Sequence, residues 1–356
     1  MIDQTDRAAG ALMGAFIGDA LGLGCHWYYD IGELRRTFGP WITDYTTPRP
    51  GRYHEGMRAG EISQAGIITR MLMESLDAQK TYDEGDFTRR LDEDLFPLLD
   101  GTPRQGPGGY TSQSIREAWT LRVRHKRPWG QTGGNADTTE AVERALVLAV
   151  RYARSPGKMA EAVWSNTVLT QTDETVVSMT VAYCAVLSQL VCGATLDDGI
   201  SGKLLALVRS GALPFHSVTA SNLAPPKAGV AEASRVGRFA SPDALITPGY
   251  VAQAAADPGI RIEPAWKASI VYGMPCAIYH VLPAASYLAA RFPDDFETAV
   301  LHAINGGGQN QSRAILTGAL VGAQVGLSGI PQRFLDGLDN GPALVDLCRR
   351  ITQGVE

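Results

Sequence analysis

The sequence lacks several patterns by which common protein classes are identified. Its five cysteines are scattered and form no C-x-x-C pair, which favours reduced, mostly buried thiols in a cytoplasmic protein. It contains no G-x-S-x-G and no strand-flanked G-x-G-x-x-G, so serine-hydrolase and dinucleotide-binding folds are disfavoured. The first residues carry no basic and apolar signal-peptide pattern.

Charge and long apolar runs are also scarce. Only 19% of the residues are charged and the net charge is −5, which argues against a general nucleic-acid surface. The most apolar run, 179–196, is interrupted by polar residues, so we predict a core helix rather than a membrane span. With 45% apolar residues in 356 positions the chain has enough apolar residues for a sizeable core.

Strand-like alternation never extends far enough to indicate a sheet, whereas helical periodicity with Gly and Pro breaks dominates. We therefore predict an all-α protein with one domain over residues 1–356, although the length alone would allow two domains. The predicted helices are 7–23, 60–75, 82–99, 111–125 with a solvated face, 137–154, 174–191 and 296 onward. The predicted loops are 38–60, 100–110, 127–135, 213–226 and 240–249, and 267–291 is predicted as helix broken at its prolines.

The most informative stretch is 305–323, in which N-G-G-G-Q-N-Q-S-R precedes a helix rich in Gly and Ala. The three glycines, 306–308, allow a tight turn with positive φ. The small residues of the helix indicate tight packing, so the polar run 309–313 is expected at a buried helix N-terminus, where free N–H groups attract anions. A plain loop-to-helix junction with polar caps would have the same sequence.

The first predicted helix carries glycine at every fourth position, from Gly10 to Gly22, which permits very close helix contact along one face. Asp19 lies within this apolar segment, where a carboxylate is costly unless it is paired; it is either a site residue or a structural cap. His26, Trp27 and Tyr28 follow as an aromatic cluster that can stack a sugar or base and present one proton-transfer group near neutral pH. The alternative is an aromatic plug in the core around a hydrogen-bonded histidine.

Together these stretches resemble the ADP-ribosylglycohydrolase family. Its first signature, G-D-A-[LM]-G, is matched at 18–22. Its last, G-G-D-x-D-[TS] before a small-residue helix and G-[IL]-P, is matched in part at 307–331. The resemblance covers nearly the whole chain. It implies a compact all-helical fold, in which segments near residues 18, 60, 134 and 306 converge on one cavity, and hydrolysis of a ribosyl-type bond.

The sequence departs from the family at the residues that hold metal there. The family's aspartates in G-x-x-T-D-D-T and G-G-D-x-D correspond to Gln64, Ala65, Gln309 and Gln311. Magnesium needs hard, charged oxygen ligands, so these substitutions predict a cavity without the binuclear centre and without any cofactor. Its amides would suit the hydroxyls of a sugar or the edge of a nucleobase.

Four residues are candidate catalytic groups: Glu61, Asp19, Asp137 and His26. A carboxylate stabilises the oxocarbenium-like transition state of glycoside hydrolysis, and an acid assists the leaving group. Glu61 is the best-placed general base if it faces the cavity; otherwise it has an ordinary capping role, because the helix dipole favours a carboxylate near a helix N-terminus. Asp137 is either a pocket residue or an N-cap. A single Mg²⁺ held by Glu61, Gln309 and Asp137 is the alternative to a metal-free site.

The expected ligand is a ribosylated or sugar-like small molecule, and the expected partners include neither nucleic acid nor membrane. Arg313 would hold a ligand phosphate or carboxylate, or pair with a carboxylate of the protein. The alternative to an enzyme is an inactive ligand-binding or structural protein on the same scaffold. The candidate binding residues are Trp27, Tyr28, Ser63, Gln64, Asn135, Gly307, Gly308, Gln309, Asn310, Gln311 and Arg313.

Overall fold

Helices form nearly all of the regular structure. The computed structural model describes residues 2–216, 237–239 and 243–356. Within these ranges the helices are α1 (Gln4–Leu23), α2 (Ile31–Phe38), α3 (Gln64–Gln79), α4 (Glu84–Arg90), α5 (Gln113–Trp119), α6 (Glu140–Arg151), α7 (Pro156–Val168), α8 (Glu174–Val191), α9 (Ile200–Arg209), α10 (Asp243–Ala256), α11 (Ala268–Tyr272), α12 (Ile278–Arg291), α13 (Phe296–Asn305), α14 (Asn310–Val325), α15 (Gln332–Gly337) and α16 (Gly341–Thr352). Between extended residues of the described ranges there are only isolated β-bridges, so the all-α prediction is confirmed.

Helices α1 and α14 cross at the centre of the molecule with their backbones in contact. A Cβ built on Gly14 would lie 2.7 Å from the carbonyl carbon of Gly318, and one on Gly18 would lie 2.7 Å from the backbone nitrogen of Ile315. Both helices are buried over most of their length. The predicted close contact of the glycine face of α1 is therefore present, and its partner is the small-residue face of α14.

Among the described residues, α8 is the one helix that is long and apolar enough to cross a membrane, judged by length and composition alone. Its N-cap is Asp173, whose side chain accepts hydrogen bonds from the backbone N–H groups of Thr175 and Val176. Because 78% of the helix is buried within the protein, its apolar surface is covered as in a core helix.

Two local predictions are corrected by the structure, and a third lies partly outside the described residues. The predicted loop 240–249 is wrong from residue 243, where α10 begins, because Leu245 and Val251 bury one face of a helix that continues through Pro248. The break at Pro275 is present, but Pro283 lies within α12. Of the predicted loop 213–226, residues 217–226 lie outside the described residues.

The segment 111–125 is less solvated than predicted. It forms α5 and a π-helical continuation, Thr120–Arg124, and Ile115 and Trp119 are buried. Ile115 lines the cavity described next.

Candidate functional site

A narrow cavity lies where the N-terminal ends of α3, α6 and α14 meet the loop after α1. Its volume is about 500 Å³, counted with the solvent at its mouth. The lining residues are His26, His54, Ser63, Gln64, Ala65, Ile68, Tyr110, Ser112, Ile115, Glu140, Glu143, Arg144, Gln309, Gln311 and Ser312. Residues distant in sequence thus contribute to one polar site.

The glycine turn before α14 positions three of the lining side chains, those of Gln309, Gln311 and Ser312. Gly307 and Gly308 adopt φ of 62° and 61°, a region that favours glycine. The N–H of Gly308 donates to the carbonyl of Tyr28 at 2.8 Å, and the N–H of Gln309 donates to the carbonyl of Met274 at 2.9 Å. These two N–H groups are therefore satisfied by the protein, and the turn aims Gln309 and Gln311 into the cavity.

Asp19 lies beneath the cavity and holds its wall in place. Its carboxylate accepts hydrogen bonds from the N–H of Ser63 at 2.7 Å and from the Ser63 hydroxyl at 2.6 Å, while Ser63 caps α3. The amide of Gln311 donates to the Asp19 carbonyl at 3.2 Å. Burial raises the pKa of Asp19 to about 7, against the lowering effect of the two bonds from Ser63.

The amides at the former metal positions are held in defined orientations. The Nε2 of Gln64 donates to the Pro107 carbonyl at 3.1 Å and to the Thr111 hydroxyl at 3.0 Å, which leaves its buried Oε1 without a protein partner. Gln309 accepts a hydrogen bond from the indole of Trp27 and donates to Ser312 Oγ at 2.8 Å. One buried amide oxygen in the cavity wall therefore has no hydrogen-bond partner within the protein.

His26 and His54 form a hydrogen-bonded pair at the edge of the cavity. Nδ1 of His26 lies 2.8 Å from Nε2 of His54, and Nδ1 of His54 lies 2.6 Å from the carbonyl of Gly108. Burial and the neighbouring His54 hold the pKa of His26 well below 6.5, and burial lowers the pKa of His54 to about 4. The expectation that His26 presents a proton-transfer group near neutral pH is therefore corrected, because both rings are neutral at pH 7. His54, which lies in the predicted loop 38–60, is buried.

Two glutamates of α6 are the residues that the sequence analysis missed. Glu143 accepts a hydrogen bond from Thr139 Oγ1 at 2.7 Å, and Glu140 accepts one from the Thr138 hydroxyl. Burial raises the pKa of Glu143 to about 7, with repulsion from Glu140 adding to it, and burial also raises the pKa of Glu140. Their spacing of three places both on one helix face, but the sequence suggested only a helix cap and its first turn.

Gln171 fixes the segment that leads into α6. Its Nε2 donates to the carbonyls of Ala136 and Thr138 at 2.8 Å each, and its Oε1 accepts from the N–H of Ala141 at 2.9 Å. The buried guanidinium of Arg144 donates to Asn166 and Thr170. These bonds orient the start of α6, so Gln171 supports the glutamates from behind the cavity wall.

Several predicted site residues lie outside the cavity lining. Glu61 accepts hydrogen bonds from Arg58, and Asp137 accepts one from the hydroxyl of Tyr279 at 3.0 Å. Asp137 is also not the N-cap of α6, which is Thr139. Asn135 is exposed.

The remaining predicted binding residues act within the protein. The Arg313 guanidinium is buried and donates to the carbonyls of Ala303 and Gly307, so its partners within the protein are backbone carbonyls rather than a carboxylate. Asn310 donates to the carbonyl of Cys25 at 3.1 Å, and Tyr28 is buried beneath the guanidinium of Arg52. Trp27 packs edge-on against Tyr53 and Tyr110.

The residues at the family's metal positions do not fit a binuclear magnesium centre. Gln64, Gln309 and Gln311 offer neutral oxygens and Ala65 offers none, whereas divalent cations of this type require charged oxygen ligands. The Oε1 of Gln309 is moreover occupied by the Trp27 indole. In the described ranges no group of three or more His, Cys, Asp or Glu side chains has the placement of a metal site.

The comparisons with known proteins agree with this architecture. A solved structure described as an ADP-ribosylglycohydrolase-related protein complex matches with a TM-score of 0.63 and 19% identity, covering 100% of each chain; at that identity it shows the fold alone. Among curated proteins none matches. The sequence profile of the ADP-ribosylglycohydrolase family matches residues 1–356. The chain therefore belongs to the ADP-ribosylglycohydrolase family.

Proposed function

We propose that the protein hydrolyses the N- or O-glycosidic bond of a ribosyl-type small molecule or ADP-ribosyl group, without a binuclear magnesium centre. Family membership supports glycohydrolase-type activity on ADP-ribosyl substrates. The observation that carries the proposal is the pair of carboxyl groups, Glu140 and Glu143, in the wall of the cavity formed by the family's signature segments. In this proposal they take the carboxylate role that the sequence suggested for Glu61, Asp19 or Asp137 and the acid role that it suggested for His26.

The two glutamates differ in their suitability as acid and base. Glu143 is 3% exposed and its pKa is raised to about 7, so it retains a proton at a pH where an ordinary glutamate is ionised. Burial raises the pKa of Glu140, but the hydrogen bond from Thr138 and the charge of Arg144 favour its ionised form, and its side chain is less enclosed than that of Glu143. We therefore assign Glu143 as the acid and Glu140 as the carboxylate.

The reaction then needs only these groups and water. Glu143 transfers its proton to the leaving nitrogen or oxygen as the bond to the anomeric carbon breaks, and Glu140 stabilises the oxocarbenium-like transition state. Water adds its hydroxyl to the anomeric carbon and passes its proton to Glu140. Exchange with solvent returns both carboxyl groups to their starting states.

The test is hydrolysis of N- and O-linked ADP-ribosyl compounds by purified protein, followed by chromatography of released ADP-ribose. Glu143→Gln should lower kcat by about 10²–10⁴-fold, the range for loss of a general acid. Glu93→Gln is the matched control, because Glu93 is an exposed glutamate paired with Arg89. Full activity in both Glu143→Gln and Glu140→Gln, with loss in Glu61→Gln or Asp19→Asn, would contradict the assignment.

The second candidate is a binding protein that retains the cavity but not turnover. It is favoured by the amides at the metal positions, one of which already bonds to Trp27. Calorimetric binding of ADP-ribose without hydrolysis, with and without magnesium, would identify this function. Elemental analysis of the purified protein would reveal any metal held by other ligands, including the single Mg²⁺ considered above.

A further inference from the structure

Five polar groups follow one another along the cavity edge, in the order Gly108 carbonyl, His54, His26, Gln309 and Trp27. The two ends of the row have fixed polarity. A backbone carbonyl can only accept a hydrogen bond, whereas an indole N–H can only donate one. The positions of all protons between them can therefore be worked out from the two ends.

From the carbonyl end, Nδ1 of His54 lies 2.6 Å from the oxygen of Gly108 and must carry a proton. Because His54 is buried and neutral, its Nε2 is bare and accepts from Nδ1 of His26, 2.8 Å away. The proton of the neutral His26 ring is thus on Nδ1. Its Nε2 is left as a bare acceptor.

From the indole end, Trp27 donates to Oε1 of Gln309, so this atom is the amide oxygen. The amide nitrogen donates in turn to Ser312 Oγ at 2.8 Å. Nε2 of His26 and Oε1 of Gln309 are then 3.4 Å apart and both are acceptors, with no protein proton to place between them. Both side chains line the cavity.

We propose that His26 Nε2, beside Gln309 Oε1, is an acceptor site for a hydroxyl of the ribosyl ligand, and that His54 is the positioning residue that keeps His26 in the Nδ1–H tautomer. Such a site selects donors, hence hydroxyl groups over phosphate oxygens. The choice of a ribosyl ligand rests on the proposed function, whereas the tautomer does not.

The tautomer is tested by imidazole ¹⁵N NMR of the full-length protein, with His26→Gln to assign the signals. His26 and His54 should both be Nδ1–H tautomers at pH 7. In His54→Leu the proton of His26 should move to Nε2, where Gln309 Oε1 can accept it. In His54→Gln the amide oxygen can still accept from His26 Nδ1, so the original tautomer should persist. A proton on Nε2 of His26 in the wild-type protein would overturn the proposal.

The acceptor role is tested by calorimetry with ADP-ribose and analogues that each lack one ribose hydroxyl. Loss of one particular hydroxyl should weaken binding by about tenfold in the wild-type protein and in His54→Gln, as for one hydrogen bond. The same loss should have little effect in His54→Leu, because the acceptor is already absent. Equal losses in the wild-type protein and His54→Leu would refute the acceptor role.

These outcomes separate the two proposals. If no variant hydrolyses any substrate but the tautomer and the hydroxyl dependence are as expected, the enzymatic function fails and the acceptor site stands. If hydrolysis depends on Glu143 while His26 carries its proton on Nε2, the enzymatic function stands and the acceptor site fails.

Discussion

The contact between α1 and α14 can be tested by adding one methyl group, Gly14→Ala. The new Cβ would lie 2.7 Å from the carbonyl carbon of Gly318 and closer still to its oxygen. Because the carbonyl carbon and oxygen of Gly318 are backbone atoms of a buried helix, α1 and α14 must separate by roughly 1 Å to restore ordinary contact distances. Overpacking of this kind costs about 1–3 kcal/mol, and we expect the upper part of that range.

The higher helix propensity of alanine partly offsets this overpacking cost, so a glycine without close neighbours serves as the control. Replacing glycine by alanine within a helix gains about 0.5–1 kcal/mol, so the net cost of Gly14→Ala should be about 2 kcal/mol. At Gly202, on α9, a Cβ meets nothing within 4 Å, and Gly202→Ala should stabilise the protein by the full gain. Urea unfolding monitored by circular dichroism measures both variants. If Gly14→Ala is as stable as Gly202→Ala, the proposed close contact is incorrect.

The site residues give two further predictions. Arg313→Lys should destabilise the fold by about 3 kcal/mol, because an ammonium group cannot reproduce the guanidinium's hydrogen bonds to the carbonyls of Ala303 and Gly307. Urea unfolding measures this loss. Unchanged stability together with lost ADP-ribose affinity would instead make Arg313 a ligand residue. The folded-state pKa of Glu143 is raised from 4.5 to about 7, so its contribution to stability is present below pH 4.5 and is lost as the pH rises through 7. Unfolding free energies measured between pH 4.5 and 8 should fall less steeply with pH for Glu143→Gln than for the wild-type protein. Part of the remaining dependence on pH should come from Asp19. The same dependence in both proteins would refute the raised pKa of Glu143.

The sequence predicts the helices well because their patterns are local. The four-residue glycine spacing in α1 and the small residues of α14 each identify a tightly packed face without reference to the rest of the chain. What they do not identify is that Gly14 packs against Gly318, since either face could have packed on any small-residue helix. The pairing is a property of the whole fold, and the family resemblance supplied the expectation that these segments converge.

The site residues show the same division more sharply. Gln309 and Gln311 were recognised because a glycine turn and a signature mark them, whereas Glu61 and Asp137 were selected as carboxylates near those signatures and lie outside the cavity. His54 was missed because the loop containing Gly108 and Tyr110 buries it, a contact between segments that no local pattern encodes. A carboxylate or imidazole in a sequence therefore marks chemistry only once its burial is known.

Glu140 and Glu143 bring two carboxyl groups to the cavity from the start of α6. The positions that resemble the family's metal signatures, at the starts of α3 and α14, carry three amides and one alanine: Gln64, Ala65, Gln309 and Gln311. Threonine hydroxyls donate to both, and burial favours their protonated forms. A divalent cation needs charged oxygens, whereas a general acid needs a carboxyl group with a raised pKa, as at Glu143. The lining residues therefore suit the proposed acid–base chemistry better than a binuclear metal centre.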